Sequence, residues 1–225
     1  MKLSIIIPVF NEKSTLNQLL TKVQALALEK EIIVVDDCST DGTRDIIAHL
    51  SGQNLKTILQ NKNAGKGAAI RAGIRLADGD YIIIQDADLE YDPTEINKLI
   101  APVLAGQATV VYGSRFLGKH LFRSLSHYLG NKLLTLITNV LYRTTLSDME
   151  TCYKLMPAGL IKNIHLRANR FDFEPEITAK ILKSGHKILE IPISYDSRTF
   201  AEGKKISWKD GFAAIWALIK YRFLD

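Results

Sequence analysis

Asp86, Asp88 and Glu90 alternate with Ala87 and Leu89 directly after the run Tyr81, Ile82, Ile83, Ile84, Gln85. Such a placement concentrates negative charge at the end of a buried strand, where either a cation resolves the repulsion or the carboxylates point into solvent. Carboxylates suit Mg2+ or Mn2+, which bridge a protein acid to diphosphate oxygens and neutralise charge on a phosphate leaving group. The small Ala87 leaves room for a ligand between the two aspartates. A structural use of the same residues is the alternative: Asp86 ends the strand, Asp92 caps a helix beginning at Pro93, and the others are solvated. A second apolar run, 32–35, ends in Asp36 and Asp37. Asp41 is accounted for by a cap or a turn with Gly42, whereas Asp37 is well placed to accept hydrogen bonds from a nucleobase or ribose.

Basic residues complement these acids. Arg115, Arg123, Arg198, Lys204 and Lys205 fall in expected loops or at helix starts, and arginine forks suit phosphate oxygens. Together they point to an anionic substrate; singly, each is an ordinary surface charge. Gly65-Lys66-Gly67 is not a phosphate loop, because Gln60 and Gly67 occupy the positions where that pattern needs Gly and Ser or Thr. A turn into a helix is sufficient there. The five histidines show no metal-ligand spacing, and no zinc site or serine-hydrolase triad can be assembled.

The elements that must position these groups are an alternation of strands and helices. Apolar runs at 3–10, 31–37, 55–59, 81–85 and 108–114 alternate with helical patterns at about 14–28, 41–50, 67–77 and 93–105. Near-continuous apolar strands separated by helices predict an α/β fold with a Rossmann-like, mostly parallel sheet flanked by helices. Ligands of such sheets bind outside the carboxyl ends of the strands. Segments 8–12, 36–41, 86–90 and 113–115 all follow strand ends and gather on one rim. Beyond Phe116 the character changes. Leu121, Leu125, Leu129, Leu133, Leu136 and Val140 form one stripe, widened by Phe122, Leu134 and Ile137. Trp208, Phe212, Ile215, Trp216, Ile219 and Phe223 repeat the theme with Lys209, Lys220 and Arg222. Core packing and a helix lying in a membrane interface both produce this pattern.

The chain has 225 residues, 47% hydrophobic and 24% charged, with a net charge of +5. These values describe a globular domain and exclude disorder as the default. Two cysteines are too few for a disulfide framework, the apolar run at the start is too short for a secretory leader, and no stretch approaches the roughly 20 apolar residues of a membrane span. A reducing cytosol is the expected compartment.

IIIPVFNE, VVDDCSTDGT, DADLE, GSRF, SDMETCYK and EIPISYDSRTFAEGKK, in this order, resemble the family 2 glycosyltransferases of the GT-A fold, with closest similarity to the polyprenyl-phosphate group typified by dolichol-phosphate mannose synthase. The resemblance implies one GT-A domain over 1–225, with 1–116 binding the nucleotide sugar and 117–225 supplying the acceptor part and amphipathic C-terminal helices. It implies a nucleotide-sugar donor held by Pro8, Phe10, Glu12, Val35, Asp37, Asp86, Ala87 and Asp88. Asp88 and Glu90 would hold Mg2+ or Mn2+, and Arg115, Arg123, Arg198 and Lys204 would bind the acceptor phosphate. Asp88 and Asp148 are the expected catalytic residues, Asp148 for positioning or base assistance. The implied reaction is inverting transfer to a polyprenyl phosphate, dolichyl or undecaprenyl, whose anionic oxygen needs positioning more than a base. The alternative acceptor is a hydroxyl of a soluble or cell-surface glycan. Expected partners are the donor, the lipid phosphate, a membrane surface and an integral membrane partner, without nucleic acid, and the expected location is peripheral at the cytoplasmic face of the membrane.

Overall fold

The computed structural model describes residues 1–121, 124–198 and 208–224. Its strands are β1 (Leu3–Val9), β2 (Lys30–Asp36), β3 (Leu55–Leu59), β4 (Tyr81–Ile84), β5 (Val110–Ser114), β6 (His120–Leu121), β7 (Lys154–Pro157), β8 (Ile188–Pro192) and β9 (Tyr195–Asp196). The helices are α1 (Leu16–Gln24), α2 (Thr43–Ala48), α3 (Lys66–Leu76), α4 (Ile96–Leu104), α5 (Leu125–Tyr142), α6 (Ala158–Asn163), α7 (Phe173–Lys183) and α8 (Trp208–Phe223). A short 3-10 turn, Pro93–Glu95, leads into α4, with Asp92 capping it through a hydrogen bond from the Thr94 amide.

Seven strands form one sheet in the order β3-β2-β1-β4-β7-β5-β8, and β6 pairs with β9 in a separate ribbon. The pairings β1–β2, β2–β3, β1–β4 and β5–β8 are parallel. β-Branched residues fill the centre because both faces of the sheet are covered: Ile5, Ile6, Ile7, Ile33, Val34 and Val35 are completely buried. α1 turns Leu16, Leu19, Leu20 and Val23 onto the sheet. α3 lies so close to β1 that a Cβ at Gly73 would sit 2.5 Å from Ile6 Cγ2.

All five predicted strands form, and the predicted helices appear in trimmed form. β6, β7, β8 and β9 are additions. β7 runs antiparallel to both β4 and β5 and joins them. α5 and α8 are two-faced. Leu134 of α5 packs with Met149, Ala214 and Leu218, while Ala217 and Tyr221 of α8 pack on Ala179 of α7. Their other faces carry exposed apolar side chains, from Leu125 (72% exposed) to Val140 (70%) on α5 and including Phe212 (68%) and Trp216 (60%) on α8. Among the described residues no helix is long and apolar enough to cross a membrane.

Candidate active site

The carboxyl ends of β1, β2, β4 and β5 open onto a cleft of about 1060 Å³. Its walls include Pro8, Phe10 and Glu12 after β1, Asp37 after β2, Asp86, Ala87, Asp88 and Glu90 after β4, and Arg115 after β5. The starts of α3 and α7 add Lys66 and Glu174, and Leu134 of α5 and Ala214 of α8 close one side. The expected rim thus becomes a single concave surface.

Each member of the acidic run has its own partner. Lys66 Nζ lies 2.9 Å from Asp86 Oδ1 and 2.8 Å from Glu174 Oε1. Burial works against the Lys66 ammonium, but Asp86 and Glu174 outweigh it and hold its pKa well above the ordinary value. Arg198 donates through Nη1 and Nη2 to the two Glu12 oxygens, 3.0 Å each, and its Nη2 is 3.3 Å from Asp88 Oδ2. Glu90 accepts from Tyr195 Oη and from the Arg198 amide, both at 2.6 Å. Burial first, then the Asp86 and Glu90 carboxylates, push the Asp88 pKa up to about 7, with Arg198 pulling against them. Negative charge at Asp88 is therefore under-compensated, which fits a divalent cation shared between Asp88 and Glu90. Among the described residues no group of three or more His, Cys, Asp or Glu side chains could hold a metal by itself. Further oxygens would have to come from the bound ligand, as a diphosphate supplies them.

Asp37 lines the cleft while its carboxylate accepts from the Ala64 and Gly65 amides, 2.7 Å each. These bonds fix the turn into α3. Gly65 is required there: its φ is +99°, and a Cβ would lie 2.3 Å from the Asn169 carbonyl oxygen.

Two expectations are corrected. Val35 is fully buried in β2 and does not line the cleft, so its side chain is core. Asp148 is 0% exposed and accepts from Arg115 through Nε, Nη2 and the backbone amide, at 2.7, 2.7 and 2.9 Å. The Asp148 carboxylate is taken up by Arg115 and Asp148 does not line the cleft, which argues against base assistance and leaves positioning as its expected role. Arg115 itself is at the cleft wall, with its guanidinium carbon 5.1 Å from the Tyr195 ring centre. Arg123 and Lys204 lie outside the described residues.

Lys66, Glu150, Glu174 and Arg170 also line the cleft and were missed from sequence. Lys66 stood in a Gly-Lys-Gly segment read only as a turn, and Glu150 stood inside SDMETCYK beside the more conspicuous Asp148. Burial first, then Glu174, push the Glu150 carboxyl up to about 8, against the pull of Lys154 and Arg115.

A mostly parallel sheet with acids at the ends of its strands over one cleft is a GT-A-like glycosyltransferase fold. The description Glycosyl transferase family 2 matches residues 4–164, and the chain belongs to that family. It is 32% identical over 232 residues to the low-salt glycan biosynthesis hexosyltransferase Agl6 of Haloferax volcanii, covering 99% of this chain and 53% of that protein. It is 31% identical over 208 residues to the undecaprenyl-phosphate 4-deoxy-4-formamido-L-arabinose transferase of Aeromonas hydrophila, covering 89% of this chain and 62% of that protein. The chain thus spans little more than half the length of these curated relatives. Glucosyl-3-phosphoglycerate synthase from Mycobacterium tuberculosis, solved with Mn2+, uridine diphosphate and glucosyl-3-phosphoglycerate, shares the fold at a TM-score of 0.76 and 16% identity, over 100% of this chain and 81% of that one.

Proposed function

We propose that the protein moves a sugar, with inversion, from a nucleotide-sugar donor to a polyprenyl phosphate at the cytoplasmic face of a membrane. The observation that carries this reading is the shared cleft: strand-end acids and arginines on one side, and on the other α5 and α8, whose outer faces are exposed and apolar. A lipid phosphate needs both an ionic site for its head and an apolar surface for its tail. The relative that acts with undecaprenyl phosphate supports the same acceptor class.

In this reading the nucleoside lies against Pro8, Phe10 and Asp37, and the donor diphosphate lies at Asp86, Ala87 and Asp88. A phosphate oxygen of the acceptor attacks the anomeric carbon as the bond to the donor diphosphate breaks, and the electron pair leaves with the nucleoside diphosphate. A Mg2+ or Mn2+ ion held by Asp88 and Glu90 would neutralise charge on that leaving group. Arg115, fixed by Asp148, and Arg198, fixed by Glu12, supply cationic donors for the acceptor phosphate without rearrangement during reaction. Arg123 and Lys204 complete the proposed acceptor site, which an integral membrane partner could feed.

The competing reading, transfer to a hydroxyl of a soluble or cell-surface glycan, needs a base on the cleft. Asp148 is held by Arg115 and does not line the cleft, so that reading rests on Glu150, which does. Mass spectrometry of the products from a nucleotide-sugar panel, offered with a short polyprenyl phosphate or with glycan hydroxyl acceptors and Mn2+, decides between them. We expect glycosyl phospholipid and no glycan product; glycan product alone overturns the lipid assignment, and full turnover in excess chelator overturns the metal.

A further inference from the structure

We propose that Glu150 and Glu174 read the hydroxyl groups of the transferred sugar, and that the part of the cleft around them and Lys66 is the sugar pocket. The inference rests on the glycosyl-transfer reading above and deepens it. Glu150 Oε1 and Glu174 Oε2 are both shut off from solvent, and neither has a hydrogen-bond partner. Both residues line the same cleft. Buried acceptors are ordinarily paired, because an unpaired one forfeits its bonds to water and gains nothing in return. Five other cleft acids are engaged: Asp86 by Lys66, Glu12 and Asp88 by Arg198, Asp37 by two amides and Glu90 by Tyr195.

The chemistry selects the ligand. The Glu174 carboxylate repels a phosphate, a Glu150 carboxyl that carries its proton offers it no cation, and the Lys66 ammonium between Asp86 and Glu174 disfavours a further metal ion. A neutral group rich in O–H donors satisfies both oxygens once each carboxyl rotates toward the cleft that both residues line. Lys66 also fixes the location, because it ties Glu174 to Asp86 and so sets the pocket beside the acid assigned to the donor diphosphate. Glu174 keeps Oε1 on Lys66 and leaves Oε2 for the ligand. Since burial raises the Glu150 carboxyl to about 8, near neutral pH it carries a proton and can both donate to and accept from a hydroxyl.

The test uses the full chain and its Glu150→Gln and Glu150→Ala variants, with nucleoside diphosphates and their glucose, mannose, galactose and monodeoxy-hexose conjugates, in the presence of Mn2+. Calorimetry reports binding of the free nucleoside diphosphate, and turnover reports kcat/KM for each sugar. Nucleoside diphosphate affinity should change less than about twofold in both variants, while kcat/KM for the preferred hexose falls about 2- to 12-fold in Glu150→Ala, the range for a lost neutral hydrogen bond, and less in Glu150→Gln, whose amide still donates and accepts. Preference among the epimers should collapse toward parity. An unchanged epimer preference, or an equal loss for the sugar conjugate and the free nucleoside diphosphate, overturns the inference while leaving glycosyl transfer standing. Wild-type protein alone gives an independent arm should a variant fold poorly: at least one monodeoxy donor must lose a comparable factor, and no loss for any of them overturns the proposal. Absence of both nucleoside diphosphate binding and turnover in the wild type defeats the glycosyl-transfer reading itself.

Discussion

Asp148 and Glu150 stand two residues apart and meet opposite surroundings. Asp148 is fully buried and faces Arg115, whose side chain is 7% exposed at the cleft wall. Replacing one member of a buried pair strands the other charge. Asp148→Asn should therefore cost about 3 kcal/mol or more, which for a chain of this size is a fall of about 6–12 °C in thermal midpoint. A second substitution, Arg115→Met, should restore part of that loss without restoring turnover. Unchanged stability in Asp148→Asn with activity abolished would instead make Asp148 a chemical participant. Glu150 faces another carboxylate. Its folded pKa of about 8 lies above the ordinary 4.5, so the protonated form is the one that folding favours. Its contribution to stability is complete below about pH 4.5 and is lost progressively as pH rises to about 8. Glu150→Gln cannot titrate, so its melting temperature relative to wild type should climb by a few degrees between pH 5 and pH 8, measured by circular dichroism. A constant difference would refute the assignment of burial as the cause. The acids at 86, 88 and 90 were legible because alternation at a strand end is a local signal. Lys66 was not, because its partners Asp86 and Glu174 come from a later strand and a distant helix.

At the scale of elements, α5 and α8 explain why periodicity identified the stripes but could not say which way they face. The predicted stripe Leu121, Leu125, Leu129, Leu133, Leu136, Val140 is the exposed one, but Leu121 belongs to β6 and the helix begins only at Leu125. The inward face of α5 is Leu134, Thr135 and Thr138, two of them hydroxyl residues that hydropathy does not mark. Those hydroxyls are satisfied in place: Thr135 Oγ1 accepts from the Met149 amide at 3.1 Å, and Thr138 donates to the Leu134 carbonyl at 2.9 Å. Since Phe212 and Trp216 are exposed, replacing both with Ser should shift stability by no more than about 1 kcal/mol. Under the proposed function the same change should sharply reduce co-sedimentation with anionic vesicles, and binding of the unmodified protein should weaken with salt. Equal vesicle binding by the double variant would remove these faces from membrane contact.

For the whole molecule, strand order rather than strand count governs how the parts depend on one another. The parallel part of the sheet was legible from its uninterrupted apolar runs. β7 was hidden because it is only four residues long and opens on Lys154, a side chain made tolerable inside by carbonyls of Met149 and Thr151 and by the Tyr112 ring 4.7 Å away. Because β7 separates β4 from β5, residues 1–116 contain two strands with no direct pairing between them. A fragment ending at Phe116 should lack cooperative thermal unfolding and amide protection in hydrogen exchange, whereas an independently folded fragment would show both.

The same interleaving has a consequence for biosynthesis. A chain emerging from the ribosome presents β4 and β5 well before β7 exists to join them, and β8, the outer neighbour of β5, comes later still. Until then β4 shows an open edge and β5 waits unpaired, both rich in the apolar residues on which nascent chains aggregate. The nascent protein therefore passes through an obligatory interval in which its sheet is templated but unclosed, and the length of that interval is set by translation speed across residues 115–157 rather than by the folding rate of the finished domain.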